Sequence, residues 1–476
     1  MKPALLAVWA LALATSPAVG GRETAALRPS APGAEHILRE FIADADGEAI
    51  AVVRAGCAAC DWGETGREAA VLRIALDGIY SQHLVLARGA ALAEYRIALG
   101  PVAQGRHTLT FDRDKALSAP RSGAVTVDLP RTGVTIVGAG SAEHVALSMT
   151  PIVYARPNTV GKFTDIPLLM WYEVEPTSRG QQYRYSVIFS NEDGGTQTDR
   201  LMATWGRTTD IEFVYGVEVD RSGRVLAEEF QGPGHEVPAF KGRHEGRHPL
   251  LWVSTDNNMV SESGPTDVRY APMAVKFDLS SQSREAVMDA NPWTYAIASV
   301  EMRREGKIVD DAPPGNNSIS DPRRFVYVDG CATTGNAALA LSIGSVRPAT
   351  GRVRPVTGSV RSATGSVRLQ PDQELAWTSS DRGLRQYRVA RDGCFQIATP
   401  LPAGTKPTDI RALRVMAFER APEQGAAPVA TTPVVVRRIN KVFMLDEHFL
   451  PGSSILTWQG SATIRAGGEP FEVKVP

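Results

Sequence analysis

The chain carries almost no excess charge: 51 lysines and arginines oppose 52 aspartates and glutamates, a formal net charge of −1 over 476 residues. No field of one sign spans the molecule, which argues against nucleic acid or anionic lipid as a partner. Beyond the N-terminus no apolar run approaches the roughly 18 to 20 residues that cross a bilayer, so no transmembrane segment is expected. No serine sits in a Gly-x-Ser-x-Gly elbow, and no Gly-x-x-x-x-Gly-Lys-Ser/Thr phosphate loop occurs. Cysteine is scarce, at four residues.

What is there begins with an export pattern. Met1-Lys2-Pro3 precede an apolar run from Ala4 to Ala14, and Ala18-Val19-Gly20 offers the small residues that a signal peptidase reads. Residues 1–20 are therefore expected to be a signal peptide, with a mature chain from about Gly21 that is periplasmic or extracellular. Cysteines in an exported chain suggest disulfides; four cysteines allow three pairings, of which the simplest joins Cys57 to Cys60 and Cys331 to Cys394. The stretch "GCAACDWG" also has the form of a redox Cys-x-x-Cys or half a zinc site. Against the first, Asp61, Gly63 and Gly66 mark a turn where a redox motif opens a helix; against the second, no further cysteine pair lies at zinc-ligand spacing.

The length calls for two to four domains, and three fit best. After a leader, residues 21–48, in which "AEHILREFIADADG" places Ile37, Leu38, Phe41 and Ile42 on one helical face, short alternating runs between turn signals predict an N-terminal β-sandwich over 49–148. That module resembles immunoglobulin- or fibronectin-like domains in its "YRIALGPVAQGRHTLTFD" run. A second sandwich is expected over 149–311, with "WTYAIASVEMRR" among its strands and "SREAVMDANP", stopped by Pro292, as its helix. Residues 312–322 read as a linker, and 323–476 as a C-terminal β domain. Inside the last lies a period-seven repeat at 344–368, whose glycines, prolines and β-branched residues read as a flexible insertion rather than a coiled coil. The fold class is all-β: three mainly antiparallel β-sandwich domains in tandem with few short helices.

Two motif matches fail on context. "VTIVGAGSAEH" imitates a dinucleotide-binding turn, but Glu143 stands where the third glycine should permit close packing beside a pyrophosphate. "HEGRH", His244 to His248, matches the His-Glu-x-x-His string of zinc peptidases, whose chemistry needs a helix to put both histidines on one metal. Gly242, Gly246 and Pro249 oppose a helix, and "PLLWVS" reads as a strand, so a zinc peptidase using His244, Glu245 and His248 ranks below other readings.

The richest stretch is Asn191 to Asp220, with seven carboxylates in thirty residues. Ile211, Phe213, Tyr215, Val217 and Val219 alternate with Asp210, Glu212, Glu218 and Asp220, which predicts a strand with one apolar and one mainly acidic face. Asp210 and Glu212 then point the same way, roughly 6 to 7 Å apart. Their repulsion calls for compensation by water, by a cross-strand arginine such as Arg184, or by a cation. A cation or glycan site would combine Asp210 and Glu212 with Asp193, Asp256 or His244, since "SNEDGG" and "STDNN" are oxygen-rich loops suited to a divalent cation such as calcium. Among the tryptophans, Trp205 and Trp171 are the candidate sugar-stacking residues, with Trp252 and Trp293 beside them.

"GRTTDIE", Gly206 to Glu212, resembles the Gly-His-Arg-His-Asp-Trp-Glu heptapeptide of necrosis-inducing-protein-like toxins and the related strand of vacuolar-sorting-type β-sandwich proteins. Gly206, Asp210 and Glu212 match in register, whereas Arg207 and Thr209 replace the histidines and Ile211 the tryptophan. The resemblance implies a β-sandwich for the middle third, and a divalent cation held with help from Asp210 and Glu212 at a glycolipid-binding site. The resulting expectation is an exported protein that binds a cation, a glycan or a cell-envelope component. The rival is an extracytoplasmic glycan hydrolase with Asp210 and Glu212 as paired carboxylates, which would require one of them to have a raised pKa in a cleft.

Overall fold

The computed structural model describes residues 35–130, 133–310, 312, 315, 317–345, 374–377, 388–420 and 431–476. The expected signal peptide and most of the period-seven repeat lie outside them. The chain is all-β, built from mainly antiparallel sheets stacked as sandwiches.

The first sandwich comprises β1 (His36–Ala43), β2 (Gly47–Cys57), β3 (Val71–Leu76), β4 (Ile79–Val85), β5 (Ala93–Val102), β6 (Gly105–Arg113), β7 (Val125–Asp128) and β8 (Val134–Val137). One sheet runs β1-β6-β3-β4; the other runs β5-β2-β7, with β8 also on β2. The segment expected to be a helix is β1, so this domain begins before residue 49. Its apolar residues at positions 37, 38, 41 and 42 suit a helix as well as a strand. Pairing with β6 decides, burying Ile37, Phe41 and Ala43 on one face and leaving Leu38 and Ile42 exposed.

The second sandwich contains α1 (His144–Ser148), β9 (Ile152–Tyr154), β10 (Pro167–Pro176), β11 (Gly180–Phe189), α2 (Thr198–Trp205), β12 (Asp210–Asp220) and β13 (Val225–Phe230). It continues through β14 (His244–Glu245), β15 (His248–Val253), β16 (Val260–Ser261), β17 (Arg269–Tyr270) and β18 (Ala274–Lys276). The order of its large sheet is β13-β12-β11-β10-β18; the facing sheet is β14-β15-β9-β17, with β16 on β15. Then come α3 (Ala286–Ala290) and α4 (Trp293–Arg304). The latter corrects the expected strand "WTYAIASVEMRR". Its aromatic and β-branched residues favour a strand locally, yet Thr294, Tyr295, Ile297, Ala298, Glu301 and Met302 are buried at helical spacing, and Pro292 both ends α3 and starts α4.

The third sandwich has β19 (Phe325–Thr333), β20 (Ala337–Ser345), β21 (Glu374–Trp377), β22 (Gly393–Pro400), β23 (Ile410–Glu419), β24 (Val434–Phe443), β25 (Leu456–Ile464) and β26 (Phe471–Lys474). Its sheets run β22-β19-β24-β25 and β21-β20-β23-β26. Disulfides join Cys57 to Cys60 and Cys331 to Cys394, the second between directly opposed residues of β19 and β22. Among the described residues no helix is long and apolar enough to cross a membrane.

The three sandwiches share cores. Trp171, Ile188 and Ile211 of the middle sheet, Met288, Tyr295 and Met302 of the helices, and Tyr327 and Phe443 of the third sandwich form one buried cluster. Tyr327 stacks on Phe443 at 5.1 Å, with Tyr295 edge-on to both. Trp62 of the first sandwich packs with Phe163 and Ile297, drawing α4 against it. Even the expected linker is docked at Ile319, which is 2% exposed and bridges to Ile308. Phe443→Ala is therefore expected to cost about 3–5 kcal/mol, read as a lower urea midpoint. Unfolding of the native chain should remain one transition by far-UV circular dichroism and tryptophan fluorescence; separate transitions for the sandwiches would show that the shared cores do not couple them.

Candidate functional site

The acidic strand does not keep its predicted alternation. Tyr185 pairs with Tyr215 and the next residue, Ser186, pairs with Phe213, so Val214 is an extra residue opposite one step of β11. This β-bulge turns the strand over. Ile211 joins the core shared with the third sandwich, while Tyr215, Val217 and Val219 face the middle core. Asp210 and Glu212, opposite Phe189 and Val187 of that same middle core, point inward with them. For these two residues the wet face expected from alternation is an inward one, Asp210 being 1% exposed, whereas Glu218 and Asp220, beyond the bulge, pair with the exposed Arg179 and Arg224.

Compensation comes from within. Asp210 accepts a 3.0 Å hydrogen bond from Asn258 Nδ2 and lies 3.8 Å from Arg207 Nη1. Arg207 also donates from Nε to Glu285 at 3.0 Å and from Nη1 to the Thr209 carbonyl. Glu212 accepts from Gln231 Nε2 at 2.9 Å. Asp193 and Asp256 converge instead on buried Arg156, which also holds Asp165. Asn258, in the left-handed region at φ 55°, ties the two groups together by reaching Asp165 and Asp210 with one amide nitrogen, while its buried Oδ1 has no partner among the described residues.

Too few positive groups enter for all these carboxylates to ionise. Burial, then the charge of Asp210, pushes Glu212 up to about 9, and the same two causes push Glu192 up to about 8. Burial raises Asp210, and burial and Asp193 raise Asp165 well above the carboxylate range. Glu301, buried in α4 and bonded to Trp62 Nε1 at 2.8 Å, is pushed up to about 8 by burial and by Glu305. Protons and arginines share the compensation.

The five residues expected at a cation site are thus divided. Asp210 and Glu212 stay together, Asp193 and Asp256 are partnered by Arg156, and His244 Nε2 is 2.8 Å from Glu228. Among the described residues no group of three or more histidine, cysteine, aspartate or glutamate side chains is arranged to hold a metal ion. Where the toxin heptapeptide has histidines, Arg207 and Thr209 are buried, and Arg207 brings positive charge to the carboxylates. "HEGRH" is a hairpin: Glu245 pairs with His248 across β14 and β15, and Arg269 holds Glu245. His248 lies inside against Glu48 and the Thr150 carbonyl. Its histidines have separate partners, so the zinc-peptidase reading falls.

Of the tryptophans, Trp171 has no exposed surface and Trp252 is buried against Tyr154, so neither offers a face to a sugar. Trp205 is half-buried. It ends α2, a helix that the sequence reading missed although Asp199 in the first turn and Gly206 after the last are helix signals. Gly206 adopts φ 61° and packs so closely on β22 that a Cβ would lie 2.8 Å from Gln396 Cγ. Arg156, Asp165, Glu192, Arg207, Asn258 and Glu301 were likewise not singled out as site residues, although Glu192 and Asn258 fall within the quoted "SNEDGG" and "STDNN" loops.

Glu192, Glu212 and Glu301 keep their protons in the fold at pH values where the unfolded chain, titrating near 4.5, has lost them. The folded state then binds more protons, so their contribution is fully present below about 4.5 and is lost as pH rises toward 9. Urea midpoints in EDTA should fall between pH 5 and 9, and Glu192→Gln/Glu212→Gln should flatten that fall; an equally steep fall in the variant would count against buried protons at these residues. The chain matches no protein-family model and no curated protein.

Proposed function

We propose that this chain is an exported cell-envelope interaction protein whose three fused sandwiches form a rigid frame presenting a glycan-binding face at Trp205. The observation that carries the reading is the half-buried Trp205 indole, set at the junction of the middle and third sandwiches and surrounded by arginines. Disulfides and an export-type N-terminus support the location. Trp205→Ala should abolish the quenching of tryptophan fluorescence by oligosaccharides, with little change in melting temperature. Retained quenching in that variant would place any sugar site elsewhere.

A cation reading narrows to Asp210 and Glu212, where Asn258 Oδ1, without a partner among the described residues, supplies a neutral oxygen of the kind calcium accepts. Because calcium would displace protons there, its stabilising effect should be larger at pH 9 than at pH 5. Melting curves with calcium and with EDTA, for the native chain and Asp210→Asn/Glu212→Gln, test this. Identical curves would leave arginine and protons as the whole compensation. A glycan hydrolase would use the same pair, with Glu212 as the protonated acid beside Asp210; turnover of a polysaccharide lost in Glu212→Gln is the result that would favour it.

A further inference from the structure

We propose that the Trp205 face binds an anionic saccharide, one whose sugar rings carry carboxylate or sulfate groups, with Arg200 and Arg391 recognising the charge. This rests on the glycan-binding reading above and names the class of its ligand.

Three guanidinium groups surround one indole. Their Cζ atoms lie 5.6 Å (Arg391), 5.9 Å (Arg200) and 6.0 Å (Arg207) from the Trp205 ring centroid. Arg200 comes from α2, Arg207 from the turn after it, and Arg391 from the approach to β22 in the third sandwich. Attraction to the ring face favours each of them singly. Gathered together they repel, and the acceptors around them are few. Arg207 is bonded to Glu285 and the Thr209 carbonyl, but among the described residues the Arg391 side chain makes one hydrogen bond, Nη2 to the Thr204 carbonyl at 3.0 Å. The Arg200 side chain makes no hydrogen bond or ion pair among the described residues, where its buried Nε has no partner. Burial lowers the pKa of Arg391, Glu285 opposes the change, and Arg207 and Arg284 add to it. Arg200 and Arg391 thus carry more donors than the acceptors around them among the described residues satisfy.

An anion answers that deficit, and its chemistry is constrained. Guanidinium forks match the paired oxygens of a carboxylate or sulfate. The half-buried indole beside them adds aromatic surface on which a sugar ring can stack, which a bare anion would leave unused. A sugar ring with its acidic substituent directed at Arg200 and Arg391 uses the aromatic and the charged groups together.

The test is isothermal titration of the full chain with four probes: a sulfated oligosaccharide, a polyuronate oligosaccharide, an uncharged oligosaccharide of matched length, and sodium sulfate. The native chain is compared with Arg200→Gln, Arg391→Gln and Trp205→Phe. The Arg200 side chain has no hydrogen bond or ion pair to lose among the described residues, so Arg200→Gln should stay close to the native melting temperature and report on binding. One or both acidic oligosaccharides should bind, weakening about tenfold or more with each arginine lost and weakening with salt, while sulfate binds far less well. Uncharged oligosaccharide bound equally by native and arginine variants would overturn the anionic assignment and keep the glycan reading. No binding of any oligosaccharide would overturn both. Sulfate bound as tightly as the acidic oligosaccharides would overturn the saccharide in favour of a simple anion site.

Discussion

The acidic chemistry of this protein depends on one extra residue in one strand. Val214 interrupts the pairing of β11 with β12, and the side-chain period of two means that everything before it changes face relative to everything after it. Without the bulge, Asp210 and Glu212 would lie opposite the face that carries Tyr215 and Val217. With it, they share that inward face, and their surroundings must supply what water would have supplied.

That demand explains an otherwise disconnected set of buried polar groups. Arg156 gathers Asp165, Asp193 and Asp256, Arg207 stands between Asp210 and Glu285, and Asn258 joins the two sets through one amide. Protons complete the balance on Glu192, Glu212 and, nearer the first sandwich, Glu301. A partly neutralised, hydrogen-bonded network of this kind is costly to disturb, because removing one partner strands another buried group. It reaches across domains: Glu301 of α4 binds Trp62, and Arg304 of the same helix binds the Trp62 and Phe163 carbonyls.

The same turn of chain sets the outer face. Gly206 in its left-handed conformation ends α2, accepts Gln396 Nε2 at its carbonyl, and brings the helix end against β22. Trp205 is thereby placed between two sandwiches, and arginines remote in sequence meet around it. Arg207 belongs to both settings, with its guanidinium against the buried carboxylates on one side and near the indole on the other.

The all-β class and the location of the acidic segment were legible in the sequence, because alternation and turn residues are local properties; of the three cysteine pairings the sequence allowed, the simplest is the one present. Local pattern also identified Asp210 and Glu212 as a pair, and they remain one. Which way that pair faces was decided by the partner strand, since a bulge is a property of two strands and leaves no mark on either alone. Residues 36–43 suited a helix and a strand equally until β6 paired with them, and 293–304 carried strand-like residues that packing against Trp62, Tyr327 and Phe443 held as a helix. Arg156 and Arg391 had no signature in sequence at all. Their meaning comes largely from groups far along the chain, Asp256 at 100 residues from Arg156 and the Thr204 carbonyl at 187 from Arg391, whose proximity exists only once the cores have closed.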